Sequence, residues 1–187
     1  MAIEEPSYVV KKKTDDYEIR NYSSYCVAET VIQDDFEDSG SKAFRILADY
    51  IFGNNRSKTK IAMTAPVTQS PKVESEKIAM TAPVSQSKTT SGYQVQFVMP
   101  AGMTLETLPE PVDSRVKLRQ IPARKVAVFS YSGSWSEERY QEKLTEFQSI
   151  LKRDGIKTQG EPEFARFNSP FMIWFLRRNE IWLSLVP

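Results

Sequence analysis

Residues 60–70 read KIAMTAPVTQS and residues 77–87 read KIAMTAPVSQS, identical at ten of eleven positions with an offset of seventeen. Each copy sets a polarizable thioether, Met63 or Met80, among small alanines and behind a lysine. Small residues beside a flexible sulfur side chain suit a surface on which something flat and apolar can lie. They equally suit a helix packed closely on a sheet. The remaining chemistry-bearing residues narrow the choice. The chain has no histidine, which removes Ser–His and Cys–His catalysis, His-ligated zinc and a proximal imidazole for heme iron together. Cys26 is the single cysteine, so one chain builds neither an internal disulfide nor a thiolate metal site. It lies in a strand-like run between Tyr25 and Val27 and reads as a buried, inert thiol. The acids Asp34, Asp35, Glu37 and Asp38 precede one helical segment, and Glu137 and Glu138 open another. Carboxylates there complement the positive end of a helix. No catalytic or metal-ligating residue is assigned, and an enzyme is not expected.

The elements that position these residues come from an ordinary globular composition. The chain has 187 residues, 40% hydrophobic and 26% charged, with 25 Lys and Arg against 24 Asp and Glu. One domain of this size buries a substantial core, and the charge balance argues against nucleic acid or a membrane surface as main partner. The opening MAIEEPSYVV lacks a basic start followed by an apolar stretch, so it is not read as a secretory signal. No apolar run approaches the length needed to span a bilayer. A cytoplasmic monomer is expected.

Two segments have helical periodicity. In SKAFRILADYIFG the apolar positions Phe44, Leu47, Ala48 and Ile51 fall three and four apart, with Gly53 as the stop. In SWSEERYQEKLTEFQSILKRDG, Tyr140, Leu144, Phe147 and Leu151 do the same. Ser134 with Glu137 is a candidate capping box there, and Gly155 closes the far end. YVVKKKTDDYEIRNY reads as a hairpin turning at residues 14–16. YCVAETVI, YQVQFVM, VKLRQI, KVAVFSY, FMIWFL and IWLSLV read as strands, the last two around a tight turn at RRNE in which Arg177 and Glu180 pair. Residues 100–122 form a proline-marked connector. Strand, helix and more strands follow twice, which predicts an α+β fold of two similar units.

Alternation within the copies puts Ile61, Met63, Ala65 and Val67 on one face, and Ile78, Met80, Ala82 and Val84 on another. The polar link QSPKVESE predicts an antiparallel hairpin. Because the offset is odd, the two faces meet on one side of the sheet only with an even-numbered loop, which is the expected case. Pro66 and Pro83 cannot donate to a ladder, so each copy sits at an edge, bulges, or ends its regular pairing near APV.

YIFGNN at residues 50–55, the two KIAMTAPV copies, GSWSEE at 133–138 and FNSPFMIWFLRRNEIWL at 167–183 resemble the SOUL heme-binding protein family, in its order and over nearly the whole chain. The doubled KIAMTAPV is similar to bacterial or plant-type members. The resemblance implies a distorted antiparallel β-barrel of two pseudo-symmetric halves flanked by two long helices. That is a single domain over residues 1–187, with halves about 1–100 and 112–187. It implies non-covalent binding of heme or a related tetrapyrrole in an apolar groove near the first helix. Carried onto this sequence, the groove is lined by Leu47, Tyr50, Ile51 and Met63, with Met80 from the second copy, and Arg56, Lys58 and Lys60 meet the propionates. Burying an apolar plate favours binding by roughly 25 cal/mol per Å², less the cost of association, and guanidinium or ammonium groups orient its anionic tails. Without histidine, iron is left unligated by protein or is met by Met63, Met80, Cys26 or a tyrosine; otherwise the ligand is metal-free or open-chain. Weak axial ligation suits a carrier or buffer.

Two other functional classes remain open. A small-molecule effector-binding module would use aromatics such as Tyr93, Phe97, Trp174 and Trp182 with a buried acid. A protein-interaction domain would take an amphipathic helix in an apolar groove.

Overall fold

The computed structural model describes residues 3–58, 75–168 and 171–186. Its strands are β1 (Tyr8–Lys13), β2 (Glu18–Tyr22), β3 (Tyr25–Ile32), β4 (Asn55–Arg56), β5 (Val84–Thr89) and β6 (Gly92–Val98). They continue as β7 (Glu110–Pro111), β8 (Lys117–Ile121), β9 (Arg124–Ser132), β10 (Thr158–Arg166) and β11 (Arg178–Leu185). Helix α1 spans Phe36–Ile51 and α2 spans Glu137–Arg153. Among the described residues nine strands form one antiparallel sheet in the order β1-β2-β9-β11-β10-β5-β6-β3-β8, and β4 pairs with β7 apart from it. The sheet curls into a half-barrel. Among the described residues it is not a closed barrel, and β1 and β8 are its two edges.

Around α1 the strands β3, β6 and β5 lie side by side, and around α2 the strands β9, β11 and β10 do the same. Each set is completed by a strand from the other end of the chain, because β2 pairs with β9 and β8 pairs with β3. The spatial groups therefore cross the expected boundary near residues 100–112.

Period-two alternation explains how one sheet is buried on both faces. Ala127, Phe129, Ile181, Leu183 and Phe164 pack with Tyr140, Leu144, Phe147 and Leu151 of α2. Their neighbours Val126, Val128, Trp182 and Ala165 point the opposite way, with Tyr22, Ala82 and Phe167. Under α1, Ala43, Leu47, Tyr50 and Ile51 meet Val95, Phe97, Met99 and Leu108, the last supplied by the connector. The helix starts meet where Phe36 stacks on Tyr140 at 5.2 Å and on Phe164 at 5.8 Å.

α2 and the first hairpin form where periodicity puts them, while α1 begins at Phe36, ahead of the periodic stretch, so that Glu37 and Asp38 lie inside its first turn. Asp35 caps α1, accepting from Asp38 N at 2.8 Å, so the acidic run is helix-start chemistry. Gly53 takes φ 126° just past the helix, a conformation closed to most side chains. The cap of α2 is Ser136, accepting from Arg139 N at 3.4 Å, rather than Ser134. FMIWFL is not a strand: Trp174–Leu176 is a 3-10 turn, and β11 begins at Arg178. RRNE is accordingly not a turn, and Asn179 and Glu180 are fully buried in β11. β10, with Gly160 and Pro162 inside it, escapes propensity because its register shifts between Gln159 and Glu163.

Candidate functional site

The first KIAMTAPV copy, with Lys60 and Met63, lies outside the described residues. So does the relation of its face to that of the second copy. The second copy is not strand before Val84; regular pairing starts just after Pro83, where the missing N–H permits it. Its backbone bonds elsewhere. Ile78 N donates to Ile51 O at the end of α1, and Ala82 N donates to Glu4 O, each at 2.8 Å. Ile78 and Ala82 are buried, while Met80 between them is 47% exposed.

A neck stands at this junction, built on Asn55. Its side-chain Nδ2 donates to Tyr50 O and to Glu76 O, both at 2.8 Å, and its Oδ1 accepts from Glu76 N at 2.9 Å. One buried amide thus ties the end of α1 to the chain returning at residue 76. Asn55→Ala is expected to cost about 2–3 kcal/mol, because three hydrogen bonds are removed and backbone groups are stranded. Urea denaturation reads the loss, and Asn55→Asp is expected to restore only part of it.

Leu47, Tyr50 and Ile51 face inward and are at most 1% exposed. The Tyr50 hydroxyl donates to Pro109 O at 2.8 Å. The three- and four-residue spacing that singled them out is also the spacing of a buried stripe, so a ligand meets them only if the chain packed over them moves. Solvent is reached nearby by Phe52, 57% exposed, and by Arg56 and Lys58. The Lys58 ammonium donates to Leu105 O at 2.8 Å. Phe52 follows Ile51 and Met80 lies two residues beyond Ile78, so both flank the hydrogen bond that joins helix and motif. The exposed side chains on the segments that meet here are an aromatic ring, a thioether and two cations.

The donors for iron are few. Burial pushes the Cys26 thiol up, only partly countered by a backbone hydrogen bond from Leu105. Burial likewise raises the phenols of Tyr22, Tyr25, Tyr50, Tyr131 and Tyr140. Among the described residues at this junction Tyr50 is buried, and the Met80 sulfur is the accessible soft donor. The residues present fit a flat, anionic-tailed plate better than they fit strong axial ligation.

Two further constellations escaped sequence reasoning. Between the helix starts, Phe36, Tyr93 and Tyr140 line a cleft of about 300 Å³ with Glu137 and Glu161. Of the other aromatics expected to wall a cleft, Phe97 and Trp182 are buried and Trp174 is exposed. The second constellation centres on Glu180, which does not pair with Arg177. It accepts from Arg20 Nη1 at 3.0 Å and Nη2 at 3.2 Å, from Trp182 Nε1 at 2.7 Å and from Arg178 Nη2 at 2.8 Å. Arg178 also bonds Glu5 at 2.8 Å. On the opposite face of β11, Asn179 accepts from Trp135 Nε1 at 2.8 Å and donates to Gly133 O at 3.1 Å. The alternation Arg178, Glu180, Trp182 was the signal for this network; a charged quartet reads as a turn only when that period is overlooked.

Comparison with known proteins fits the whole chain. The model of a family described as SOUL heme-binding protein matches residues 3–184. Heme-binding protein 2 of Homo sapiens is 31% identical over 170 residues, covering 89% of this chain and 77% of that protein. Heme-binding protein 2 of Mus musculus is 31% identical over 189 residues, covering 97% and 86%. Among solved structures, the EcmrR C-terminal domain aligns with TM-score 0.61 at 10% identity, over 91% of this chain and 98% of that one. A hydrolase from Listeria innocua aligns with TM-score 0.55 at 12% identity, over 94% of each. At such identities these two likenesses concern the fold alone.

Proposed function

This chain belongs to the SOUL heme-binding protein family, and from that premise we propose that it is a carrier or buffer for a tetrapyrrole, bound without histidine at the end of α1. The observation that supports this reading is the exposed set Phe52, Met80, Arg56 and Lys58 around the Asn55 neck. In this reading Phe52 and Met80 supply apolar area for a plate, and Arg56 and Lys58 hold its anionic tails. Lys60 and Met63 enter this reading on the family resemblance alone, and Leu47, Tyr50 and Ile51, at most 1% exposed, join it only through movement of the chain packed over them. A bound heme would add a visible Soret band and a redox-active iron; the chain's own part is to cover a face, hold the tails and release them.

The test is titration of the purified protein with hemin and with metal-free protoporphyrin. Saturable one-to-one binding of both is expected, and binding of neither would overturn the proposal. Met80→Ala is expected to lower affinity for the two ligands alike, by about tenfold, because less apolar area covers the plate. A loss confined to hemin would instead assign sulfur ligation.

The inter-helix cleft favours a second reading, a small amphipathic cation held by ring faces and carboxylates. Aromatic rings and acids together are the chemistry that recognises such ions. A cationic dye that binds in one-to-one ratio, is not displaced by hemin, and fails to bind Glu137→Gln/Glu161→Gln would support it.

A further inference from the structure

Residues 171–176 read FMIWFL, six consecutive apolar side chains, and each is between 39% and 96% exposed. Such a run ordinarily lies in a core. We infer that this turn seats the protein on a lipid surface, inserting its side chains at the level of the headgroups.

The first reason is the direction of the side chains. Trp174–Leu176 is a single 3-10 turn, so successive side chains leave its axis about 120° apart. A groove on a partner protein would cover one side of the turn and leave the others in water. The interfacial zone of a bilayer receives it from every side. The exposure of all six residues, rather than of one stripe, matches the second environment.

The second reason is the backbone. Carbonyls carried towards hydrocarbon need donors that travel with them. Ile173 O accepts from Leu176 N at 2.9 Å, Trp174 O from Arg177 N at 3.3 Å, and Met172 O from Arg177 Nε at 2.9 Å. The base of the turn is held as well: Arg178 N donates to Asn168 Oδ1 at 2.5 Å, and Phe167 N donates to Arg178 O at 3.3 Å. Three carbonyls of the tip, those of Met172, Ile173 and Trp174, are thus served by donors of the same segment.

Composition completes the case. Residues 167–179 contain no acid and two arginines, so nothing in the segment is repelled by phosphate headgroups. Trp174 is the residue type most enriched at membrane–water interfaces. The near-neutral charge of the chain argues against adsorption by charge, and this contact is apolar. Binding is therefore expected on zwitterionic vesicles and is expected to depend weakly on salt.

Flotation of the full chain with phosphatidylcholine vesicles tests the inference. The wild-type protein is expected to rise with the vesicles at low and high salt, with a blue shift in tryptophan emission. Trp174→Phe is expected to float without most of that shift. Trp174→Glu/Phe175→Glu is expected to stay at the bottom, at least tenfold depleted from the floating fraction, while keeping its unfolding midpoint and its hemin titration. Three results would each overturn the inference: wild-type protein that does not float, a charged variant that converts a dimer to monomers in sedimentation, or a charged variant that no longer binds hemin. The second would make the turn an interface between copies, and the third would make it part of the tetrapyrrole site.

Discussion

Glu180→Ala is expected to destabilise the fold by about 3–5 kcal/mol, the usual cost of removing one partner from a buried ion pair. Glu180 has no exposure, and Arg20 opposite it is buried on β2, two strands away across β9. Burial works most strongly against the Arg20 charge, and the Glu180 carboxylate and the Tyr22 hydroxyl together outweigh it, holding the guanidinium above its ordinary range. Glu18 still reaches Arg20 Nε at 2.8 Å from the half-buried side, so the guanidinium keeps one acid when Glu180 is gone. The two bonds to Glu180 and the Trp182 indole N–H are nonetheless left without their acceptor. Urea denaturation measures the loss. Arg20→Met/Glu180→Leu is expected to recover most of it, since apolar replacement of a whole buried pair is often neutral or stabilising. A single variant within about 1 kcal/mol of wild type would show that water reaches the site.

Reversing both rim charges, Arg56→Glu/Lys58→Glu, is expected to weaken hemin binding by roughly ten- to a hundredfold, through loss of charge-assisted bonds and added repulsion. Both side chains are exposed, so the change reaches the ligand with little effect on folding; within the protein it chiefly breaks the hydrogen bond from Lys58 to Leu105 O. The dimethyl ester of protoporphyrin, which lacks the anionic tails, is expected to bind wild type and variant alike. Equal weakening for acid and ester would mean that the variant disturbs the neck rather than the rim.

How much of this was legible depends on the range of the interaction. The hairpin at 8–22, the two helices, the acidic caps and most strands answer to contacts within a few residues, and periodicity finds them. The site was only partly legible for a related reason. Leu47, Tyr50 and Ile51 stand out by apolar spacing at a helix end, but apolar spacing marks the buried face whether or not a ligand is near. Asn55, which holds the neck, has no local signature: its partners are backbone groups five and twenty-one residues away. FMIWFL misled by composition, since β-forming residues in a row look like a strand until a neighbour is needed to pair with it.

The residue list alone settled that no imidazole chemistry is possible, that two amphipathic helices form, and that the landmarks of one family follow in order along the chain. Each depends on identity or on spacing along the backbone. Only the folded chain decided that the sheet stays open, that RRNE lies in a strand whose acid is neutralised from β2, and that six apolar side chains face outward. Those outcomes turn on which distant strands become neighbours, and a one-residue shift in pairing would exchange the buried face for the exposed one.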